Sequence, residues 1–227
     1  MTTEKAYKGL PMEGIIASWY AKTTFKDLNR HKLMVKQLVD KIPVNSKVLE
    51  IAPGPGYFCI ELAKLGNYQI TGLDISKTFV EIARKNAMEV GLKIDFREGN
   101  ASAMPFENES FDFTFCQAAF KNFSQPVKAI AEMYRVLKPN GVALIVDMRC
   151  DASAEDIEQE VQGMGLDPIN EFLVRWTFKH MLLKSAYRIT DMEPMISRTP
   201  FGSGRIVTSG IGFQVWLEKN NPANKER

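Results

Sequence analysis

The sequence predicts an α/β fold built on a doubly wound, mostly parallel seven-stranded sheet. Five short apolar stretches alternate with helix-like stretches between residues 47 and 146, as in a parallel sheet covered by helices. The first apolar stretch runs into a turn rich in glycine and proline, and a helical pattern follows at once. Two further apolar stretches flank a tight turn near residue 210 and predict a C-terminal antiparallel hairpin.

Length and composition are those of an ordinary globular chain. Its 227 residues, 45% of them hydrophobic, can form one domain with an appendage, although two domains are possible. A net charge of +2 with scattered basic residues argues against a nucleic-acid partner. The chain lacks an apolar run of about 18 residues, so we expect no membrane span. With three isolated cysteines, two histidines and no apolar leader, we expect a cytoplasmic protein without a metal site, either a monomer or a homodimer.

Three regions divide the predicted domain. Residues 1–42 predict an N-terminal helical cap of two helices with a bend near residues 23–27. Residues 43–150 form the predicted ligand-binding core, and residues 151–220 add helices and the final strands to the same domain. In this last region we expect a helix at 153–164, a longer one at 170–186, and a short one opened by a capping box of Thr190 and Glu193.

The glycine-rich turn after the first strand is the first candidate binding element. Gly54 and Gly56 lack a Cβ atom, so we expect both to leave room for a ligand close to the backbone. Backbone N–H groups at the start of the next helix can face a polar ligand. A turn of this kind can also serve only to reverse the chain. The residues that follow it must therefore show whether it binds a ligand.

Two later polar residues support a nucleotide-like ligand. Asp74 ends the second strand 18 residues after Gly56, close to the separation of about 20 expected for a carboxylate that accepts hydrogen bonds from ribose hydroxyls. An acid at this position can instead be a helix N-cap. Asn100 begins a loop whose amide could reach an adenine edge, and a polar turn over core side chains is the equal alternative.

With these pieces in place, the chain resembles the class I S-adenosylmethionine-dependent methyltransferases, especially the small-molecule branch that includes ubiquinone and menaquinone biosynthesis enzymes. Four blocks carry the resemblance in the family's order across about residues 46–149: VLEIAPGPG, GLDIS, GNASAMPF and the long segment from FDFTFCQ to GVALI. The resemblance implies a Rossmann-like core, S-adenosyl-L-methionine as cofactor, and methyl transfer to a small-molecule acceptor at oxygen, nitrogen or carbon.

The resemblance also implies a set of cofactor contacts. Glu50 would steady the turn and the methionine amino group, Asp74 would hold the ribose, and Gln117 would line the methionine end. Tyr20 joins this set because we expect it near the methyl group. The expected cofactor-binding residues are Tyr20, Glu50, Ala52, Gly54, Gly56, Asp74, Ile75, Asn100, Ala101 and Gln117.

Two positions depart from the family pattern. Ala52 stands where the first glycine is usual, which is tolerable only if its φ angle is negative. Asn100 stands where an aspartate is common, so its amide oxygen would have to accept from the adenine amine.

Methyl transfer from a sulfonium mainly requires a nucleophile held in line in a dry pocket, and a base helps only some acceptors. The catalytic candidates are Tyr20, Lys121, Asn122 and Asp147, and His31 is a weaker one. We expect Lys121, Asn122 and Tyr187 to contact the substrate, because the first two follow the carboxyl end of the fourth strand.

Aromatic and titratable residues gather in two segments, 12–32 and 170–190. We expect these segments to close over the cofactor as a lid, with Tyr20 nearest the methyl group; the alternative is that they are the core of two packing helices. Two other functions stay open. A nicotinamide-dependent oxidoreductase would need its third glycine at Cys59, and a non-catalytic, regulatory protein could bind the same cofactor.

Overall fold

The computed structural model describes residues 7–8, 12–24 and 28–220 of the chain. Its seven strands form one sheet in the order β3-β2-β1-β4-β5-β7-β6. Strands β1 to β5 are parallel, and β7 is antiparallel to both of its neighbours, so the predicted fold class is confirmed. The strands are β1 Lys47–Ile51, β2 Gln69–Asp74, β3 Asp95–Glu98, β4 Phe111–Gln117, β5 Leu137–Met148, β6 Arg205–Ser209 and β7 Gly212–Glu218.

Eight α-helices are described. They are α1 Gly14–Thr24, α2 Leu28–Leu38, α3 Tyr57–Ala63, α4 Lys77–Glu89, α5 Pro126–Val136, α6 Ala154–Gly163, α7 Pro168–Thr177 and α8 Ile189–Ser197. The predicted bend between α1 and α2 falls partly on residues 25–27, which lie outside the described residues. The long helix expected at 170–186 is wrong, because α7 ends at Thr177 and passes into a π-helical turn, Phe178–Leu182.

The start of helix α8 differs from expectation, and strand β5 contains a bulge. Helix α8 does not use Thr190 and Glu193 as its capping box. The Asp191 carboxylate accepts a hydrogen bond from the Arg188 N–H (2.9 Å), so the helix begins at Ile189. Strand β5 begins at Leu137, because Leu137 pairs with Phe111 before a bulge returns the chain to register at Val142.

Both faces of the sheet are covered by helices, as a parallel sheet requires. On one face, helices α2, α3 and α4 pack on inward-facing side chains of the strands; Phe58 of α3 and Phe115 of β4 have ring centroids 4.2 Å apart. On the other face, α5 and α8 cover a cluster that includes Ile130, Met133 and Ile145. The alternation of side chains along β4 between these two layers explains its nearly continuous apolar sequence.

The direction of chain winding reverses between β1 and β4. The chain proceeds from β1 outward to β2 and β3, and then returns to β4 on the other side of β1. In sheets of this type ligands bind at the carboxyl ends of the strands beside such a reversal. The glycine turn, Asp74 and Gln117 all stand at this edge, since each ends or follows β1, β2 or β4.

Ala52, directly after β1, has a φ angle of 55°, so the expectation of a negative value is wrong. Its N–H donates to the Leu73 carbonyl oxygen (2.7 Å), which extends the β1–β2 ladder and holds the residue in the left-handed region. Ala118, directly after the neighbouring β4, has the same φ of 55°. Such backbone disfavours non-glycine residues by about 1–2 kcal/mol, and strained positions gather at functional sites.

The two glycines of the turn have different roles. A Cβ atom built on Gly54 meets nothing within 4 Å, so this position faces open space as expected. A Cβ atom on Gly56 would lie 2.8 Å from Cζ of Phe96 and 3.0 Å from Cβ of Ala83. The expectation that Gly56 also leaves room for a ligand is therefore wrong, because its missing side chain lets the turn pack against β3 and α4.

This difference predicts unequal effects of alanine substitution. Gly91→Ala is the control, since Gly91 has a φ of +71° and open space around it; we expect a loss of about 1–2 kcal/mol in the free energy of unfolding. Gly56→Ala has similar backbone strain, at a φ of +79°, and adds the contact with Phe96, so it should lose about 1–3 kcal/mol more. Urea denaturation of both variants measures the difference. Equal losses would show that Phe96 and Ala83 move aside without cost.

Candidate functional site

Two buried carboxylates flank the glycine turn at the carboxyl edge of the sheet. Glu50 lies in β1 and Asp74 ends β2, and each residue is only 4% exposed to solvent. Asp74 accepts hydrogen bonds from the N–H groups of Gly54 and Ser76, both at 2.9 Å. Its carboxylate thereby fastens the turn to the chain that leads into α4.

Asp74 is not the N-cap of α4. That position belongs to Ser76, whose hydroxyl oxygen accepts a hydrogen bond from the Phe79 N–H (3.1 Å). The N-cap alternative for Asp74 is therefore wrong, and its two hydrogen bonds instead join the glycine turn to Ser76.

Burial raises the pKa of both carboxyl groups. For Asp74 the pKa rises to about 6, because desolvation outweighs the hydrogen bonds from Ser76 and Gly54, which lower it. For Glu50 the pKa rises to about 7, again because of desolvation, against two hydrogen bonds from Cys59. A ligand that offers hydroxyl donors or a positive charge would stabilise the ionised carboxylates.

The N-terminal cap fastens onto this same edge. The Ser76 hydroxyl donates to the Met12 carbonyl oxygen (2.7 Å), and Glu13 accepts from the N–H groups of Lys77 and Thr78 (3.0 and 3.1 Å). The Tyr57 hydroxyl, at the start of α3, donates to the Ala21 carbonyl oxygen (2.9 Å). Helix α1 therefore crosses the starts of α3 and α4, beside the glycine turn.

The aromatic candidates of the cap lie near these contacts. The Tyr20 ring stands edge-on to Phe79, with centroids 5.8 Å apart. The His31 ring packs against the Tyr57 ring with the same centroid distance, so His31 lies beside the start of α3.

The residues predicted to contact adenine lie in two places, directly after β2 and in the loop that follows β3. Ile75, directly after Asp74, is 42% exposed and offers a surface for a flat ring. The Asn100 amide oxygen accepts from the Ser102 N–H (2.8 Å), and Ala101 packs on the core. The polar-turn interpretation of Asn100 therefore holds in this structure, while its oxygen keeps one lone pair for a ligand.

Lys121, shortly after β4, and Asp147, near the carboxyl end of β5, form a buried ion pair. Asp147 accepts from the backbone N–H of Lys121 (2.9 Å), its Nζ (3.3 Å) and the Met148 N–H (2.8 Å). Both side chains are at least nine-tenths buried. Two catalytic candidates are thus engaged with each other, and removal of either would leave a buried charge unpaired.

Residues 7 and 8 belong to the site region, and sequence reasoning missed them. The Lys8 N–H donates to the Asn122 carbonyl oxygen (2.7 Å), and its Nζ donates to the Tyr187 hydroxyl (2.7 Å). Burial raises the pKa of Tyr7, and the nearby Tyr20 and Asp74 raise it further. Asn122 and Tyr187, both predicted to contact substrate, are thus brought together, whereas a lone Tyr-Lys pair before the first helix carried no sequence signal.

The opposite edge of the sheet holds a shallow cavity of about 430 Å³ near the starts of β1 and β2, lined in part by Lys47 and Gln69. None of the predicted site residues lines it. Over the described ranges, no three or more His, Cys, Asp and Glu residues form a group that could hold a metal ion. Nor does any described helix have the length and apolar character to cross a membrane.

Comparison with known proteins agrees with this geometry. Residues 49–145 match the family described as methyltransferase domain, the family that the resemblance predicted. The chain is 36% identical over 108 residues to a demethylmenaquinone methyltransferase of Deinococcus radiodurans; the match covers 47% of this chain and 45% of the relative. The chain thus spans about half the length of the curated relatives that it matches.

Solved structures show the same fold beyond the matched segment. A candidate S-adenosyl-L-methionine-dependent methyltransferase from Methanococcus maripaludis superposes with a TM-score of 0.76 at 18% identity, covering 94% of this chain and 96% of the other. The [4+2]-cyclase SpnF superposes with a TM-score of 0.56 at 19% identity, covering 83% and 80%. The fold of the whole domain is thus the methyltransferase fold.

The cofactor of the class I methyltransferase family is S-adenosylmethionine, and the residues present fit it. Gly54 borders open space that a ligand could fill and that a Cβ atom would partly occupy. Asp74 offers carboxylate oxygens for hydroxyl donors, and Ile75 offers an exposed apolar surface. Glu50 supplies a second carboxylate for a positive charge.

The raised pKa of Asp74 predicts a pH-dependent contribution to stability. The unfolded carboxyl titrates near 3.8 and the folded one near 6, so ionisation disfavours the folded state as pH rises between these values. Relative to Asp74→Asn, the wild-type free energy of unfolding should fall by about 2 kcal/mol from pH 4 to pH 7. Urea unfolding of both proteins across this range measures it. Parallel pH profiles would contradict the raised pKa.

Proposed function

We propose that this protein is an S-adenosylmethionine-dependent methyltransferase that acts on a small-molecule acceptor. The observation that carries the proposal is the pair of buried carboxylates, Glu50 and Asp74, on either side of a turn that is open at Gly54. They stand where the winding of the sheet reverses, within the segment that matches the methyltransferase domain.

Each part of the cofactor has a partner in this proposal. Asp74 binds the ribose hydroxyls, and Glu50 binds the ammonium of the methionine part. Ile75, Asn100 and Ala101 hold the adenine, and Gln117 lies at the methionine end. When bound, the cofactor supplies an electrophilic methyl group, so the chain's own task is to bind, orient and exclude water.

The acceptor pocket is proposed at the carboxyl ends of β4 and β5. Phe120 and Tyr187 pack there with ring centroids 5.6 Å apart, and Lys8 bridges Tyr187 and Asn122. Because Asp147 already accepts three hydrogen bonds, the geometry favours an acceptor whose nucleophile is reactive when positioned. The name of the Deinococcus relative makes demethylmenaquinone one acceptor to test.

The same fold also serves another reaction, since the solved structure of SpnF is that of a [4+2]-cyclase. A protein that binds the cofactor without methyl transfer is therefore the second candidate. A screen of small phenol, amine and thiol acceptors with methyl-labelled cofactor separates the two. Label transfer to any acceptor supports the enzyme, whereas cofactor binding without transfer to a broad panel supports the second candidate.

Asp74→Ala should weaken S-adenosylmethionine binding by about 1.5–3 kcal/mol, the range for hydrogen bonds to a charged group. Asp95→Ala is the control, because Asp95 begins β3 at the opposite edge and its carboxylate pairs with Arg97. Isothermal titration calorimetry gives both affinities. Unchanged affinity in a folded Asp74→Ala protein removes Asp74 from the site, and tight NAD binding by the wild type contradicts the proposed cofactor.

The lid remains a proposal, and surface exposure supports it. Trp19, Phe172 and Trp176 are 64%, 63% and 50% exposed, so these three are not the core of packing helices. Hydrogen exchange with and without S-adenosylhomocysteine should show added protection in α1 and in residues 170–190, with the β6–β7 hairpin unchanged as internal control. Protection confined to the glycine turn and Asp74 would show that the lid does not close and would remove Tyr20 from the site.

A further inference from the structure

A cysteine on α3 holds the carboxylate of Glu50 across the glycine turn. Cys59 donates its backbone N–H (3.2 Å) and its Sγ–H (2.8 Å) to the same oxygen, Oε2. Its side chain is fully buried, and burial beside Glu50 raises the pKa of the thiol well above its usual value. The thiol therefore stays protonated and remains a donor.

Both of these hydrogen bonds leave the other oxygen of Glu50 available. Within the described residues, no hydrogen bond to Oε1 is found, although an ionised carboxylate can accept about four. The direction of the carboxylate is thus set by one neighbour, and its second oxygen is left for a ligand at the carboxyl end of β1.

We infer that Cys59 is a positioning residue that turns Oε1 of Glu50 toward the ammonium group of an amino-acid ligand. The inference rests on the proposed function, in which that ammonium belongs to the methionine part of the cofactor. A glycine at this position, as in dinucleotide-binding turns, would supply only the backbone N–H. The thiol adds a second donor and holds the carboxylate group in one orientation.

A packing role is the competing explanation, because Cys59 also belongs to an apolar cluster with Phe58 and Leu62. Two ligands distinguish these roles. S-adenosylhomocysteine carries the amino-acid end, and 5′-methylthioadenosine shares its adenosine but lacks that end. Loss of packing would weaken both ligands alike, whereas loss of Glu50 orientation would weaken only the first.

The test is calorimetric titration of the full chain with both ligands. Cys59→Ala should weaken S-adenosylhomocysteine binding about tenfold and 5′-methylthioadenosine binding less than about twofold, because it deletes one hydrogen bond to a charged group. Cys59→Ser keeps a donor and should stay within about threefold of wild type for both. In a Glu50→Gln background, Cys59→Ala should not change the ratio of the two affinities further.

The pH profile supplies a readout that packing would not move. Affinity for S-adenosylhomocysteine should fall as pH drops below about 7, where Glu50 protonates. Cys59→Ala removes a donor that favours the carboxylate, so the midpoint should shift to higher pH; Cys59→Ser, a stronger donor, should shift it lower. If Cys59→Ala does not fold, the pH midpoint of Cys59→Ser alone tests the inference: a lower midpoint supports it, and an unchanged one contradicts it.

Several results would overturn the inference. They are equal weakening of both ligands, an unchanged pH midpoint in the folded variants, and a wild type that binds S-adenosylhomocysteine no more tightly than 5′-methylthioadenosine. A wild type that binds neither ligand would instead contradict the proposed function itself.

Discussion

The site depends on the hydrogen bonds that the Asp74 carboxylate accepts. This carboxylate joins the glycine turn at Gly54 to Ser76, and Ser76 in turn caps α4 and donates to the N-terminal cap at Met12. The turn, the helix and the cap are therefore held together through one buried acid. Because that acid ends β2, a strand paired on both sides, the sheet fixes its position, and the site shares the rigidity of the core.

The two carboxylates make the site energetically unfavourable without a ligand. Each is desolvated, and the charge of Asp74 further raises the pKa of Glu50. In the proposed complex, a ribose and an ammonium group would supply donors that stabilise both carboxylates, and binding would relieve the strain of their burial. The left-handed backbone at Ala52 and Ala118 lies at the same edge and adds to this strain.

The fold was predictable because its determinants are local. The apolar runs of β1 to β5 alternate with amphipathic helices, and the hairpin follows from a glycine turn between two apolar strands. The features that escaped prediction depend on contacts between distant parts of the chain. The φ angle of Ala52 follows from its ladder bond to Leu73, and the packing role of Gly56 follows from Phe96, about 40 residues further on. Tyr7 and Lys8 carry no periodic signal, so only the folded chain shows them beside Asn122 and Tyr187.

A crystal structure of the protein with S-adenosylhomocysteine tests the central claim most directly. The account predicts that the ribose hydroxyls lie within hydrogen-bonding distance of the Asp74 carboxylate, with the ligand passing over Gly54 and its ammonium at Glu50. A ligand bound elsewhere, for example in the cavity beside Lys47 and Gln69 at the opposite edge of the sheet, would contradict it.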